Sequence, residues 1–191
     1  MLSQKISIRP IATLVALVVT LFAIGTRAAA EDDMVLHSFN KNHIDGYGSY
    51  AGLIADAVGN LYGTTHGGGA YNGGTVFELS PKAGGGWTET VLYSFGNGTD
   101  GAFPFDGLIF DKAGNLYGVT LQGNYADVSG IAIELSPNTG GEWAETVLHV
   151  FGNGTDGAHP SGSLVFDASG KSLWHDPTGR DWQLPNLWDC V

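Results

Sequence analysis

The stretch GLIADAVGNLYGTTHGGGAYNGGTVFELSPKAGGGWTETVLYSF, residues 52–95, decides the fold. Turn residues cut it into four short apolar runs: Gly52-Leu53-Ile54-Ala55-Asp56, Asn60-Leu61-Tyr62-Gly63-Thr64-Thr65, Gly74-Thr75-Val76-Phe77-Glu78-Leu79-Ser80-Pro81 and Trp87-Thr88-Glu89-Thr90-Val91-Leu92-Tyr93-Ser94-Phe95. Ala57-Val58-Gly59 joins the first two as a hairpin turn, and the loops His66 to Gly73 and Lys82 to Gly86 join the others. The pattern predicts four antiparallel strands in sequence order. Outside the N-terminal segment no run long enough for a helix carries helical periodicity.

Working outward, the same unit returns. Val35-Leu36-His37-Ser38-Phe39 recurs as Val91-Leu92-Tyr93-Ser94-Phe95 and as Val147-Leu148-His149-Val150-Phe151, a spacing of 56 residues each time (91 − 35 and 147 − 91). The second copy reads Gly107-Leu108-Ile109-Phe110-Asp111, Asn115-Leu116-Tyr117-Gly118-Val119-Thr120, Gly130-Ile131-Ala132-Ile133-Glu134-Leu135-Ser136-Pro137 and Trp143-Ala144-Glu145-Thr146-Val147-Leu148-His149. One-residue length changes fall in loops, where insertions cost least. The units lie near residues 35–90, 91–146 and 147–170. Four strands at this period, with a Trp opening the last strand, predict an all-β chain of tandem four-stranded antiparallel blades of β-propeller type. About two and a half repeats are present, so the array is expected to be incomplete.

The phrases Gly59-Asn60-Leu61-Tyr62-Gly63-Thr64-Thr65 and Gly74-Thr75-Val76-Phe77-Glu78-Leu79, with the Gly-rich loop between them, resemble the GloVer tandem repeat of bacterial secreted "choice-of-anchor" proteins. The resemblance covers about residues 35–170 and weakens where Gly130-Ile131-Ala132-Ile133 replaces Gly-Thr-Val-Phe. It implies an exported array with more repeats than these and a C-terminal surface anchor. It implies no particular activity.

Residues 1–30 read as a signal peptide. Lys5 and Arg9 form a basic head, Ile11 to Ile24 an apolar core too short to span a bilayer, and Ala28-Ala29-Ala30 a small-residue cleavage site. Secretion or residence in the cell envelope is the expectation, with no stable membrane span after cleavage. At the other end, Lys171-Ser172-Leu173-Trp174-His175-Asp176 stands where Asn-Leu-Tyr-Gly-Thr-Thr should follow Gly170. Trp has only the codon TGG, which read one base later always gives Gly. Trp174 and Trp188 then fall on glycines of the repeat phrases, and residues 171–191 are expected to be a frameshifted tail outside the repeat. Cys190 and His175 would then carry no designed chemistry.

Composition limits the partners. Nineteen acidic residues against eight basic ones give a formal charge of −11, which repels phosphate backbones, so nucleic acid is not expected. The single Cys190 cannot form an internal disulfide. Asn97-Gly98-Thr99-Asp100-Gly101 and Asn153-Gly154-Thr155-Asp156-Gly157 have the oxygens of a Ca²⁺ loop, but too few carboxylates, and read as turns. Asp56, Asp111 and Asp167 recur before the hairpin turn, as acceptors for turn N–H groups. His37, Tyr93 and His149 share one repeat position, which reads as packing or a surface contact and not as a metal ligand; His43, His66 and His159 lack paired ligands at metal spacing. Tyr47, Tyr50, Tyr71 and Tyr125 stand in Gly-rich loops and read as ordinary loop rings covering a blade edge, with sugar faces, which flat rings suit, as the alternative.

No catalytic, cofactor-binding or metal residue is assigned, and no nucleophile elbow or phosphate loop is present. The reading is an exported, non-enzymatic repeat protein for binding or surface display. Its expected partners are carbohydrate or a cell-surface protein, with self-association through exposed blade edges. Two alternatives stay open: a remnant of a polysaccharide-acting propeller enzyme, and a non-functional fragment.

Overall fold

The computed structural model describes residues 35–40, 44–123, 129–152, 157–162, 164–166, 172–175 and 181–183; for the last two segments only the backbone is considered. The predicted signal peptide lies outside the described residues. The chain divides into Met1–Val35 and Leu36–Val191, and all that follows concerns the second unit.

Among the described residues every regular element is a strand. The first sheet holds β1 (Ile54–Ala55), β2 (Leu61–Thr65), β3 (Thr75–Pro81) and β4 (Trp87–Ser94), antiparallel and in sequence order. The second holds β5 (Ala102–Pro104), β6 (Ile109–Phe110), β7 (Leu116–Gln122), β8 (Ile131–Pro137) and β9 (Trp143–Val150). The two match pair for pair: Ile54 faces Tyr62 as Ile109 faces Tyr117, and Phe77 faces Val91 as Ile133 faces Val147. Even the register shift recurs, at Val76/Phe77 and at Ala132/Ile133. A bulge kept at one place in two copies is part of the plan.

The expectation of four strands per unit needs one correction. In the second sheet the outermost strand is split: β6 pairs with the start of β7 and β5 with its end, giving five strands. Between them the Asp106 carbonyl turns toward the first sheet and accepts the Thr64 hydroxyl at 3.2 Å, so it is lost to the ladder. The first repeat keeps a trace of the same split in the Tyr47–Gly67 bridge.

Successive sheets pack on each other. Tyr62 and Val76 from one face of the first sheet join Leu116, Ile131, Ile133 and Leu135 from the second in a single core, with Phe95 and Leu108 completing it. The opposite face of the second sheet, Tyr117, Val119 and Ala132, packs against Phe151 and Leu164 of the third repeat. Period-two alternation sends each strand's residues to the two junctions in turn. Phe77, Phe95 and Phe151 are fully buried; each is worth about 1.5–3 kcal/mol relative to exposure.

The phrase Leu-Tyr-Gly has a packing reason. A Cβ on Gly63 would stand 2.5 Å from Leu53 Cδ2 and 2.7 Å from Phe77 Cζ, and one on Gly118 2.9 Å from Leu108 Cδ2. Only glycine lets the neighbouring leucine lie across the strand.

Backbone pairing does not stop at Gly170. β10 (Val165–Phe166), β11 (Ser172–His175) and β12 (Asp181–Gln183) form a third antiparallel sheet. Val165 faces Leu173, one repeat on from Ile109 facing Tyr117, so this register continues into the segment that the sequence sets apart.

Candidate functional site at the repeat junction

Each junction is assembled from a short set of recurring parts. The first is the hairpin turn. Asp56 Oδ1 accepts the amides of Val58 (3.0 Å) and Asn60 (2.9 Å), while Oδ2 accepts Asn60 Nδ2 (3.0 Å) and the Tyr62 hydroxyl (3.2 Å). Asp111 repeats all four contacts with Ala113, Asn115 and Tyr117. Burial acts to raise the Asp56 carboxyl, but these donors outweigh it and hold the group below its ordinary value. Tyr62 is pushed up to about 12 by burial, with Glu78 and Asp56 adding to it. These aspartates build turns, as the sequence suggested for them; Asp167 lies outside the described residues.

The second part is an aromatic pair. His37 stacks edge-on against Phe39, Tyr93 against Phe95 and His149 against Phe151, with ring centroids 4.7, 5.0 and 4.8 Å apart. The shared His/Tyr position is therefore packing, as expected. It also reaches a buried carboxylate: the Tyr93 hydroxyl donates to Asp100 Oδ2 at 3.2 Å, and His37 Nε2 lies 3.6 Å from Asp45 Oδ2.

Of the residues read as a Ca²⁺-like loop, Asn97, Gly98 and Thr99 are exposed, while Asp100 turns inward and is buried. Asn153 to Asp156 lie outside the described residues, as does His43. No group of three or more His, Cys, Asp or Glu among the described residues is placed to hold a metal ion.

Beside these recurring parts, the junction of the two complete sheets holds an open cleft of about 400 Å³. Its floor is β4, from Thr90 to Ser94, and its rim carries Tyr71, Asn97, Glu142 and Trp143. Tyr71 comes from the Gly-rich loop of one repeat and Trp143 opens the last strand of the next, so neither repeat alone can form it. Two aromatic rings with an amide, a carboxylate and hydroxyls around them match the mixed lining of a small-molecule site. The sequence offers Tyr71 as a loop ring with sugar contact only as an alternative, and it does not bring Trp143, Glu142 and Asn97 together with it. The bare recurrence of Trp87 and Trp143 was the available signal.

The other aromatic candidates go elsewhere. Tyr50 lies on His66 (5.8 Å) and Phe105 (5.4 Å), while His66 also meets Phe103 at 5.2 Å. Tyr47 covers Gly67, and Tyr125 lies outside the described residues.

Two repeats of one antiparallel plan, matched in register, turn chemistry and bulge, define a tandem all-β repeat protein. The chain belongs to the Gloeobacter/Verrucomicrobia repeat family, whose model matches residues 20–175. Among curated proteins nothing matches it.

Proposed function

We propose that this chain is an exported, non-enzymatic repeat protein that binds carbohydrate at the junctions between its repeats, its sheets serving as blades of a propeller-like array. The cleft shared by Tyr71 and Trp143 carries the reading. Flat rings cover the apolar face of a sugar, and Asn97, Glu142 and Thr90 supply partners for its hydroxyls. Export rests on the N-terminal segment, whose basic head, apolar stretch and Ala28-Ala29-Ala30 have the order of a signal peptide.

Binding is favoured over cleavage because, among the described residues, no pair of carboxyl groups converges in the cleft. Asp56 and Asp111 spend both oxygens on their turns, and among the described residues Glu142 is the only carboxylate on the cleft lining. Self-association finds support in β9, which ends its sheet and leaves Val147 and Val150 exposed.

Calorimetric titration of the full chain with cellohexaose, chitohexaose and laminarihexaose tests this, with the mixtures then analysed for products. Saturable binding of at least one sugar without cleavage is expected. Binding of none, or release of shorter sugars, would overturn it.

A further inference from the structure

Four carboxyl groups are used neither by the turns nor by the cleft lining. Asp45 and Asp100 occupy one repeat position and are only 7% and 6% exposed. Glu89 and Glu145 occupy another, opposite Leu79 on β3 and Leu135 on β8. In both copies the same atoms, Asp Oδ1 and Glu Oε1, are buried without a hydrogen-bond partner. The other strand glutamates are satisfied, since Ser80 and Ser136 donate to Glu78 and Glu134. Asn40 donates to Oδ2 of Asp45 and the Tyr93 hydroxyl to Oδ2 of Asp100, so the open atom is one oxygen of each group. A buried carboxylate oxygen without a partner is costly, and one instance could be a local accident. The same two atoms left open in two successive repeats are a feature of the design.

Among the described residues the surroundings offer little positive charge. Toward Glu145 stand Asp100 and the Tyr93 hydroxyl, with Tyr71 beside Tyr93; toward Glu89 stand His37 and Asp45. The two described lysines, Lys82 and Lys112, sit in exposed turns. Two acids that interact in a poorly solvated place titrate as a pair, and a proton is the simplest way to lower their charge.

We propose that each junction is a proton-binding site, in which the pairs Asp45–Glu89 and Asp100–Glu145 each hold one proton, so that consecutive repeats dock more firmly as the medium acidifies. The proton is taken from solvent onto a glutamate carboxylate, and no other bond changes. Burial first, and the Asp100 charge second, push Glu145 up to about 7. Burial also raises Glu89, with His37 pulling it down and Asp45 pushing it up, so the junctions differ in strength. The folded chain therefore holds a proton that the unfolded chain releases nearer the ordinary glutamate value of 4.5. The added stability is complete below that value and is lost as pH rises through about 7.

The test is a carbon-13 titration of the glutamate carboxyls in the full, unaltered chain, run beside thermal melts over the same pH range. Glu145 is expected to titrate near 7, and the melting temperature to fall through that range. Glu145→Gln should flatten the fall near neutrality and leave the Glu89 resonance titrating. Titration of Glu145 at the ordinary carboxylate value would overturn the proposal, as would an unchanged pH slope in Glu145→Gln. The titration needs no variant, so a misfolded substitution cannot leave the matter open.

Discussion

Gly74 and Pro104 belong to consecutive repeats, and they touch: a Cβ on Gly74 would stand 2.7 Å from Pro104 Cδ. Beside them the Phe103 amide donates to the Gly73 carbonyl at 2.7 Å. Gly130 stands against Pro160 one repeat further on. The glycine that opens the third strand of one repeat is thus the seat for the proline of the next.

This contact sets a first expectation. Gly74 has φ +97°, and its missing side chain is boxed in by the Thr65 and His66 carbonyls as well as Pro104. Gly74→Ala combines backbone strain with overpacking and should cost about 2–4 kcal/mol. Gly84→Ala has a similar φ of +91° but nothing within 4 Å, and should cost only about 1–2 kcal/mol. Denaturant unfolding of the two variants compares them; equal losses would mean that the junction contact contributes nothing.

A second expectation concerns the turn aspartate. Asp56→Ala removes the acceptor for two amides, an Asn side chain and a Tyr hydroxyl, and should cost about 1–3 kcal/mol. Because the carboxyl is held below the ordinary aspartate value of 3.8, its contribution is present above that value and lost as pH falls through the lower folded one. Acid unfolding of Asp56→Asn, which cannot ionise, should show a shallower slope below pH 4 than the unaltered chain.

The hydroxyl pair at the junction gives a third. Thr65 Oγ1 lies 2.8 Å from Thr75 Oγ1 and accepts the Thr75 amide at 3.1 Å; both residues are fully buried. The second repeat has Thr120 and Ile131 at these positions. Thr75→Ile should therefore be nearly neutral, within about 1 kcal/mol. Thr65→Val leaves a buried amide short of its acceptor and should cost about 1–3 kcal/mol. Thermal melts that rank the two the other way would refute this account of the pair.

These contacts also show where reading the sequence succeeds and where it stops. Strand count, order and turns were legible because Gly59-Asn60-Leu61-Tyr62 and Gly114-Asn115-Leu116-Tyr117 announce the same hairpin by local chemistry. The roles of Asp56 and His37 were legible too, since each follows from neighbours close in sequence or from the residue types one position tolerates. The junction was not. Pro104 on Gly74, Glu145 of β9 toward Tyr93 of β4, and Tyr71 with Trp143 in one cleft are meetings of the first sheet's residues with the second's, fixed by how one sheet lies on the next. Glu89 and Glu145 left a faint trace, since each stands two residues after the half-buried Trp that opens β4 or β9. The split of the outer strand into β5 and β6 had no signal beyond Pro104.

The glycan-binding reading is tested most directly at Trp143. In a titration of the nitrogen-15-labelled full chain with the tightest-binding of the three oligosaccharides, the Trp143 indole cross-peak should shift and saturate. Trp143→Ala should weaken binding about tenfold or more in a variant whose other cross-peaks keep the dispersion of the folded chain, at some cost in stability because Trp143 also packs on the core. An indole signal that stays in place at saturating sugar, or full affinity in Trp143→Ala, would contradict the claim that the repeat junction is the binding site.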